Sequence, residues 1–594
     1  MEHQQTLVAL AGILVIGIGC QWAAGRLKLP SILLLLFAGL CVGPISGFLK
    51  PDQLLGELLL PLVSLAIAVI LFEGAMTLRM SELKVIGRPL LLLLTVGVAI
   101  TWCLAAFAAR YILNLGWADA VLLGSILTVT GPTVVGPMLR HIRPIGKVGP
   151  LARWEGIVID PVGAVLAVLT FAALRAQRTS PVEDAALNGA IGFVLTFLIG
   201  SILGYVAARI LSEVLRRHWV SDHLDSPLTL AFVVLTFTAA NVLHHEAGLV
   251  AVTVMGLVLA NQHSVSVTRI ISFKENLTVL LVSSLFVVLT ARLDLQAFAS
   301  AGWRGVAFVA AMILFVRPIS VLLSTIGCGM KMSERLFLSW LAPRGIVAAA
   351  VASVFAADMP NGDSFVAAVF LVIVGTVVVY GLTAGRVSNK LGLSVPNPQG
   401  VLIVSAHPAA RAIGAALMNL EIPVRLVDTN RDNIAVARME GLPTFFGNIL
   451  SEQLEDLELG GIGRMFAMTQ NPEVNLLSVH RGAELFERKE CYRLTIESAG
   501  LSRNEVGREA LVGQVLFDEH ATYNELDNRF ASGATVKSTK LSAEFTLEDF
   551  QSRYPTALPL FVVDSGAKLT VITANDAFAP DVDDTIVALV ESEA

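Results

Sequence analysis

The sequence predicts an α-helical polytopic membrane protein of about thirteen transmembrane helices, arranged as inverted repeats with two crossed broken helices. A cytoplasmic α/β domain and a small β-rich subdomain follow. Three observations predict this class. Up to about residue 384 the chain is a series of apolar runs near 20 residues long, enough to cross a bilayer core of roughly 30 Å. The loops between those runs alternate between basic and nearly charge-free. From about residue 400 the composition becomes that of a soluble protein, with short apolar strands alternating with helical stretches.

Composition narrows the function classes. Of the 594 residues 55% are hydrophobic and 15% are charged, against roughly 25% charged in soluble proteins. The formal net charge of −6 argues against nucleic acid as a partner. Cys20, Cys41, Cys103, Cys328 and Cys491 show neither metal spacing nor a disulfide framework. The opening run, "MEHQQTLVALAGILVIGIGC", lacks the basic start of a signal peptide and reads as a span.

Spans are predicted near 5–24, 30–49, 56–78, 88–112, 117–139, 149–174, 187–215, 226–244, 246–262, 275–292, 303–328, 333–357 and 363–384. One set of loops carries Arg26/Lys28, Arg79/Lys84/Arg88, Arg140/Arg143/Lys147, Arg216/Arg217, Arg269/Lys274, Lys331/Arg335 and Arg386/Lys390. The other carries only Lys50, Arg175, Arg178, Arg292 and Arg304. By the positive-inside rule the first set is cytoplasmic, so the amino terminus lies outside and the C-terminal region inside. The boundary at "HHEA" keeps this alternation, which one long broken helix would destroy. Residues 1–384 thus form the membrane domain, and 385–399, "GRVSNKLGLSVPNPQ", a polar linker.

Ionisable side chains inside a membrane run are rare and are functional candidates by default. Here they are Glu73, Glu155, Asp160, Arg317 and Arg344. Asp160 lies about 16 Å from the cytoplasmic start of its span, and Arg317 and Arg344 fall at a similar depth in theirs. Two spans are interrupted at that level, by Thr130-Gly131-Pro132 and by Pro343-Arg344-Gly345. Proline removes a helix donor and glycine permits non-helical dihedrals. Unwound backbone at such depth needs protein or a water-filled cavity around it, and breaks in corresponding positions of two halves point to a transport site. Arg344 is placed to neutralise the carbonyl ends of the half-helices.

The two acids of one helix read differently. Glu155 and Arg317 form a structural pair, since a lone charge there costs about 2.5–3.5 kcal/mol. Asp160 is five residues on, about 140° further round the helix, where the same arginine serves it poorly. An acid without its own cation can bind a proton or a metal ion, here Na⁺ or K⁺. Pro161 also leaves the Ile157 carbonyl without its helical donor, which makes it a further oxygen ligand. Glu73, near a cytoplasmic helix end, stays open between structural pairing and function.

In combination and order, "LFEGAMTLRMSELK", "LTVTGPTVVGP", "EGIVIDPVGAV", "FVRPISV" and "LAPRGIVAAAVA" resemble the cation:proton antiporter superfamily, most closely its electroneutral NhaP-like branch. The resemblance covers most of residues 5–384. It implies a homodimer with a dimerisation half and a mobile core, in which an ion-binding aspartate moves by an elevator-like motion. That aspartate falls on Asp160, the glutamate–arginine bridge on Glu155 and Arg317, and the unwound segments on Thr130–Pro132 and Pro343–Gly345. Thr130 then joins Asp160 and Ile157 at the ion. The chain also departs from the pattern. Ile159 stands where the electroneutral branch has Asn, Gly131 where the broken span has Asp, and Gly156 where Ser follows the bridging Glu.

Beyond the linker, "VLIVSA", "PVRLVDTN", "PTFFG", "RMFAMT" and "CYRLT" read as strands with helices between them, predicting a parallel doubly wound sheet. "PLFVVD", "KLTVITA" and "TIVALVE" are short strands of another kind. Residues 400–495 resemble the Rossmann-like RCK (TrkA-N) domain, and 535–594 its C-terminal companion. Ser405, His407 and Ala410 occupy the places of the phosphate-loop glycines, while Asp428 keeps the acid that would hold a ribose. The turn is thus either a site for a regulatory nucleotide or part of a scaffold that assembles subunits, with His407 a satisfied loop residue.

Together these readings predict no enzyme. They predict a secondary-active monovalent cation:proton antiporter of a bacterial inner membrane, electroneutral, regulated by its RCK-like domain and requiring no cofactor. An RCK-gated channel is the alternative from another class, but no filter such as TVGYG is present. A membrane sensor that has lost transport is the third reading.

Overall fold

A computed structural model of the chain describes residues 3–591 apart from 28–29, 143, 177–181, 245, 263–267, 297–300, 357–358, 360–361, 395–397, 452–458, 496–512 and 575–577. Of the charged loop positions, Lys28, Arg143 and Arg178 lie outside the described residues. The chain divides into two compact units, Met1–Ser394 and Val395–Ala594.

In the first unit eight described helices are long and apolar enough to cross a membrane: Gln4–Leu27, Pro51–Met76, Leu83–Ile112, Val148–Arg175, Ile191–Arg216, Asp225–Leu243, Gly302–Ser324 and Ser364–Lys390. They make the chain a multi-pass helical membrane protein. Shorter apolar helices, Ser31–Ile45, Trp117–Ile126, Ala247–Ala260, Asn276–Ala291 and Val347–Ala356, lie between them. At "HHEA" the chain does break: helix Asp225–Leu243 stops at an extended His244, and Glu246 is left-handed (φ 62°) before Ala247–Ala260 begins. The Asn241 side chain stitches the break by accepting from the Gly248 N–H at 2.8 Å.

The two glycine–proline interruptions are real breaks. One separates helix Trp117–Ile126 from Pro132–Ile142, and the other separates Met332–Ser339 from Ile346–Ala356. Pro132 opens its half-helix, where its missing N–H costs nothing. Three π-turns among the described residues, Leu93–Gly97, Met312–Val316 and Cys41–Ile45, widen helices whose sequence predicts regular spans. Around the first, the Ser320 hydroxyl donates to the Gly97 carbonyl at 2.8 Å and accepts from Thr101 at 2.9 Å.

The last helix corrects a boundary. It runs Gly362–Lys390, through the first part of the segment read as a polar linker. Val387 and Leu391 pack on the membrane core and Leu393 is buried, so "GRVSNKLGL" keeps one apolar face. The helix is stopped by Gly392 (φ 67°) in a Schellman motif, with Leu393 N bonded to Ser388 O and Gly392 N to Asn389 O.

The second unit holds two sheets. Strands β1 (Gly400–Val404), β2 (Val424–Asp428), β3 (Thr444–Phe446), β4 (Ile462–Ala467), β5 (Cys491–Arg493) and β6 (Gln514–Val515) are parallel, in the order β3-β2-β1-β4-β5-β6. β1 is buried along its whole length, as its unbroken apolar run requires. β6 lies beyond residue 495, the boundary expected for this domain. Strands β7 (Thr535–Lys540), β8 (Leu558–Val563), β9 (Leu569–Val571) and β10 (Thr585–Val590) form an antiparallel sheet in the order β7-β10-β8-β9. β7 was not read from sequence because "TVKSTK" is polar on nearly every position.

Candidate functional site

Asp160 and Glu155 share helix Val148–Ala176. Arg317 reaches Glu155 with both terminal nitrogens, Nη1 to Oε1 at 2.5 Å and Nη2 to Oε2 at 2.8 Å, and its Nε donates to the Leu338 carbonyl at 3.3 Å. Both charges are buried, so the pair must satisfy itself, and the bidentate geometry lets it do so. Asp160 is only 1% exposed, and among the described residues nothing hydrogen-bonds either of its oxygens. The structure therefore separates the two acids: Glu155 is paired within the protein, and Asp160 has no hydrogen-bond partner among the described residues.

Neighbours on the same helix face locate Asp160. Three residues before it, the Ile157 side chain lies against Gly74 of helix Leu59–Met76. Three residues after it, a Cβ on Gly163 would strike Val129 and Thr128. The Asp160 face is thus set between that helix and the first break. Glu73, beside Gly74, is half-buried and engaged by a neighbour.

At the breaks themselves the backbones touch. Gly131 N–H donates to the Pro343 carbonyl at 3.0 Å, and a Cβ on either Gly131 or Gly345 would collide with the other's Cα. The Arg344 guanidinium, buried, donates from Nη1 to the Thr128 carbonyl at 3.2 Å and to Val129 at 3.0 Å. Those carbonyls follow the end of half-helix Trp117–Ile126, so the cation faces the negative end of a helix dipole. Thr130 is buried within the same break. Sequence reasoning missed Thr128 and Gly163. A glycine three residues from a membrane acid was the available signal.

Residues 10–390 match the model of the transmembrane sodium/hydrogen exchanger family. The chain belongs to that family. Among curated relatives, the chain is 28% identical to the K(+)/H(+) antiporter NhaP of Alkalimonas amylolytica over 408 residues, 66% of this chain and 68% of that one. It is 27% identical to Na(+)/H(+) antiporter 1 of Methanocaldococcus jannaschii, over 62% of this chain and 88% of that one. The solved structure of the sodium proton antiporter MjNhaP1 from the same organism, at pH 8, shares the fold with a TM-score of 0.58 at 24% identity, covering 66% of this chain and 99% of that one.

The exchanger model stops at residue 390, so the turn after β1 is read from its own geometry. Ser405 stands at φ 138°, a conformation that favours glycine. Its amide donates to the Val427 carbonyl, and the Ala406 amide donates to Asp428 Oδ2 at 2.7 Å. Asp428 also accepts from the Asn430 amide and the Asn433 side chain. The acid is turned onto its own chain. His407 is buried with Nδ1 at 2.9 Å from the Ser405 hydroxyl, and its ring leans on Tyr523 at 4.8 Å. Burial lowers its pKa to about 4, against the pull of Asp527 and Asp428 and with Arg411 adding to the depression. Ala410 is buried in the helix that follows.

Proposed function

We propose that this exchanger is a secondary-active antiporter trading a monovalent cation for a proton at Asp160. The carrying observation is the contrast on one helix: Glu155 is matched by Arg317, whereas Asp160 is buried with no partner among the described residues. A carboxylate taken out of water is strongly penalised unless a proton or a cation neutralises it. Proton and cation then compete for one group, and exchange is coupled if only its neutralised states cross the membrane barrier. Thr130 and the Ile157 carbonyl complete the ion's oxygen ligands. The names of the relatives include both K(+)/H(+) and Na(+)/H(+) antiporters, and both ions remain candidates.

The cycle is read as an elevator-like motion of the Asp160-bearing half against a dimerisation half, within a homodimer of thirteen-span subunits. The N-terminus lies outside and the second unit is cytoplasmic. That unit is read as an RCK-like Rossmann domain regulating transport. The parallel strand order β3-β2-β1-β4-β5-β6 supports this reading. The self-bonded turn at Ser405–His407 favours the scaffold role over a nucleotide site.

Reconstituted protein carrying a lumenal pH dye tests the proposal. Addition of K⁺ or Na⁺ should move protons with the wild type and not with Asp160→Asn. Equal proton movement in both would refute it.

A further inference from the structure

The last helix, Gly362–Lys390, presents a repeated polar stripe to the second break. Thr376 and Thr383 are seven residues apart, two turns on one face. Each hydroxyl spends its hydrogen on its own helix, Thr376 Oγ1 to Val372 O at 2.7 Å and Thr383 Oγ1 to Val379 O at 2.5 Å. That fixes each oxygen as an outward acceptor. Thr376 accepts the backbone N–H of Arg344 at 3.2 Å, and Thr383 accepts the indole N–H of Trp340 at 2.8 Å. Between them the buried Tyr380 ring meets Trp340 edge-on, with centroids 6.0 Å apart. Below, the Leu393 carbonyl accepts from Ile145 N–H at 2.7 Å, in the loop just before the Asp160 helix.

We propose that Thr376 is a positioning residue. It holds the Arg344 amide, and through it the guanidinium that caps the Thr128 and Val129 carbonyls, at the level where Asp160 exchanges its ion. Thr383 and Tyr380 hold the preceding turn. The same helix thus bonds to the second break through Thr376, and the turn after its end bonds to the loop preceding Asp160 through the Leu393 carbonyl. The functional half of this inference rests on the antiport reading of Asp160.

The test uses full-length protein with Thr376→Val, which keeps the shape and removes the acceptor, and Thr376→Ser, which keeps the acceptor. Hydrogen exchange across Arg344–Gly345 should quicken about tenfold in the Val variant, as loss of one hydrogen bond predicts, and not in the Ser variant. In liposomes the Val variant should show a displaced pH profile of proton movement, while Ser tracks the wild type. Where the Val variant is not recovered folded, Thr376→Ala, which also removes the acceptor, serves the same measurement at Arg344. Unchanged exchange at Arg344 would overturn the proposal, as would quickened exchange with a wild-type pH profile. If the wild type itself moves no protons, the antiport reading fails, and hydrogen exchange still decides the hold on Arg344.

Discussion

At the scale of single residues, Glu155 and Asp160 share a helix, about 7.5 Å apart along its axis, yet among the described residues only Glu155 has a counter-charge. The Glu155–Arg317 pair predicts a specific stability pattern. Arg317→Met strands a buried carboxylate and should cost about 3–5 kcal/mol, read as a marked drop in melting temperature of the detergent-solubilised protein. Glu155→Leu combined with Arg317→Met should recover most of that loss, because an apolar pair of similar volume is often neutral. A double variant as unstable as the single one would refute a simple pairing role. His407 predicts a pH effect in the second unit. Its pKa is about 4 when folded and 6.5 ordinarily, so the unfolded chain takes up the extra proton between those values. The stability supplied by the neutral ring is whole above pH 6.5 and is lost as pH falls towards 4, roughly 3 kcal/mol in all. Hydrogen exchange of strand β1 in the full-length protein, corrected for intrinsic rates, should show this slope, and His407→Gln should flatten it.

At the scale of elements, the breaks carry the site because their backbone polar groups satisfy each other and Arg344. Gly131 N–H meets the Pro343 carbonyl, and Arg344 takes the Thr128 and Val129 carbonyls. Gly131→Ala should therefore be worse than ordinary overpacking, which costs about 1–3 kcal/mol, because the collision is with backbone rather than a side chain that can turn away. The check is the yield of folded, monodisperse protein, with Gly136→Ala as control, since nothing lies within 4 Å of a Cβ there. Equal yields would refute backbone contact at the crossing. Both breaks were legible in the sequence, since Gly131-Pro132 and Pro343-Arg344-Gly345 interrupt two apolar runs at corresponding depths, whereas a lone step such as Gly136-Pro137 stays inside its helix. The π-turns were not, because a one-residue widening leaves no mark on an apolar run, and Pro44 within Cys41–Ile45 and Pro318 just after Met312–Val316 were the local hints.

At the scale of the whole molecule, the antiport reading of Asp160 predicts a stoichiometry of one proton for one monovalent cation, with no net charge moved. Proton movement in liposomes should be indifferent to an imposed potential, and a voltage-dependent current would contradict that. The class of the molecule was open to reading from run length and loop charge, since bilayer thickness imposes both. What escaped depends on contacts far apart in sequence. Thr376 meets Arg344 across 32 residues and offers only a hydroxyl among many in apolar helices. β7 escaped because an edge strand with polar residues on both faces has no period to find. The touching glycines bear on how such a transporter can diversify. With backbone against backbone at Gly131 and Gly345, neither position can gain a side chain unless the other half-helix shifts with it, so the pair can change only jointly. Descendants that altered their ion preference would have to do so elsewhere, at positions such as Ile159 and Gly156 beside the acids, leaving the crossing as inherited geometry.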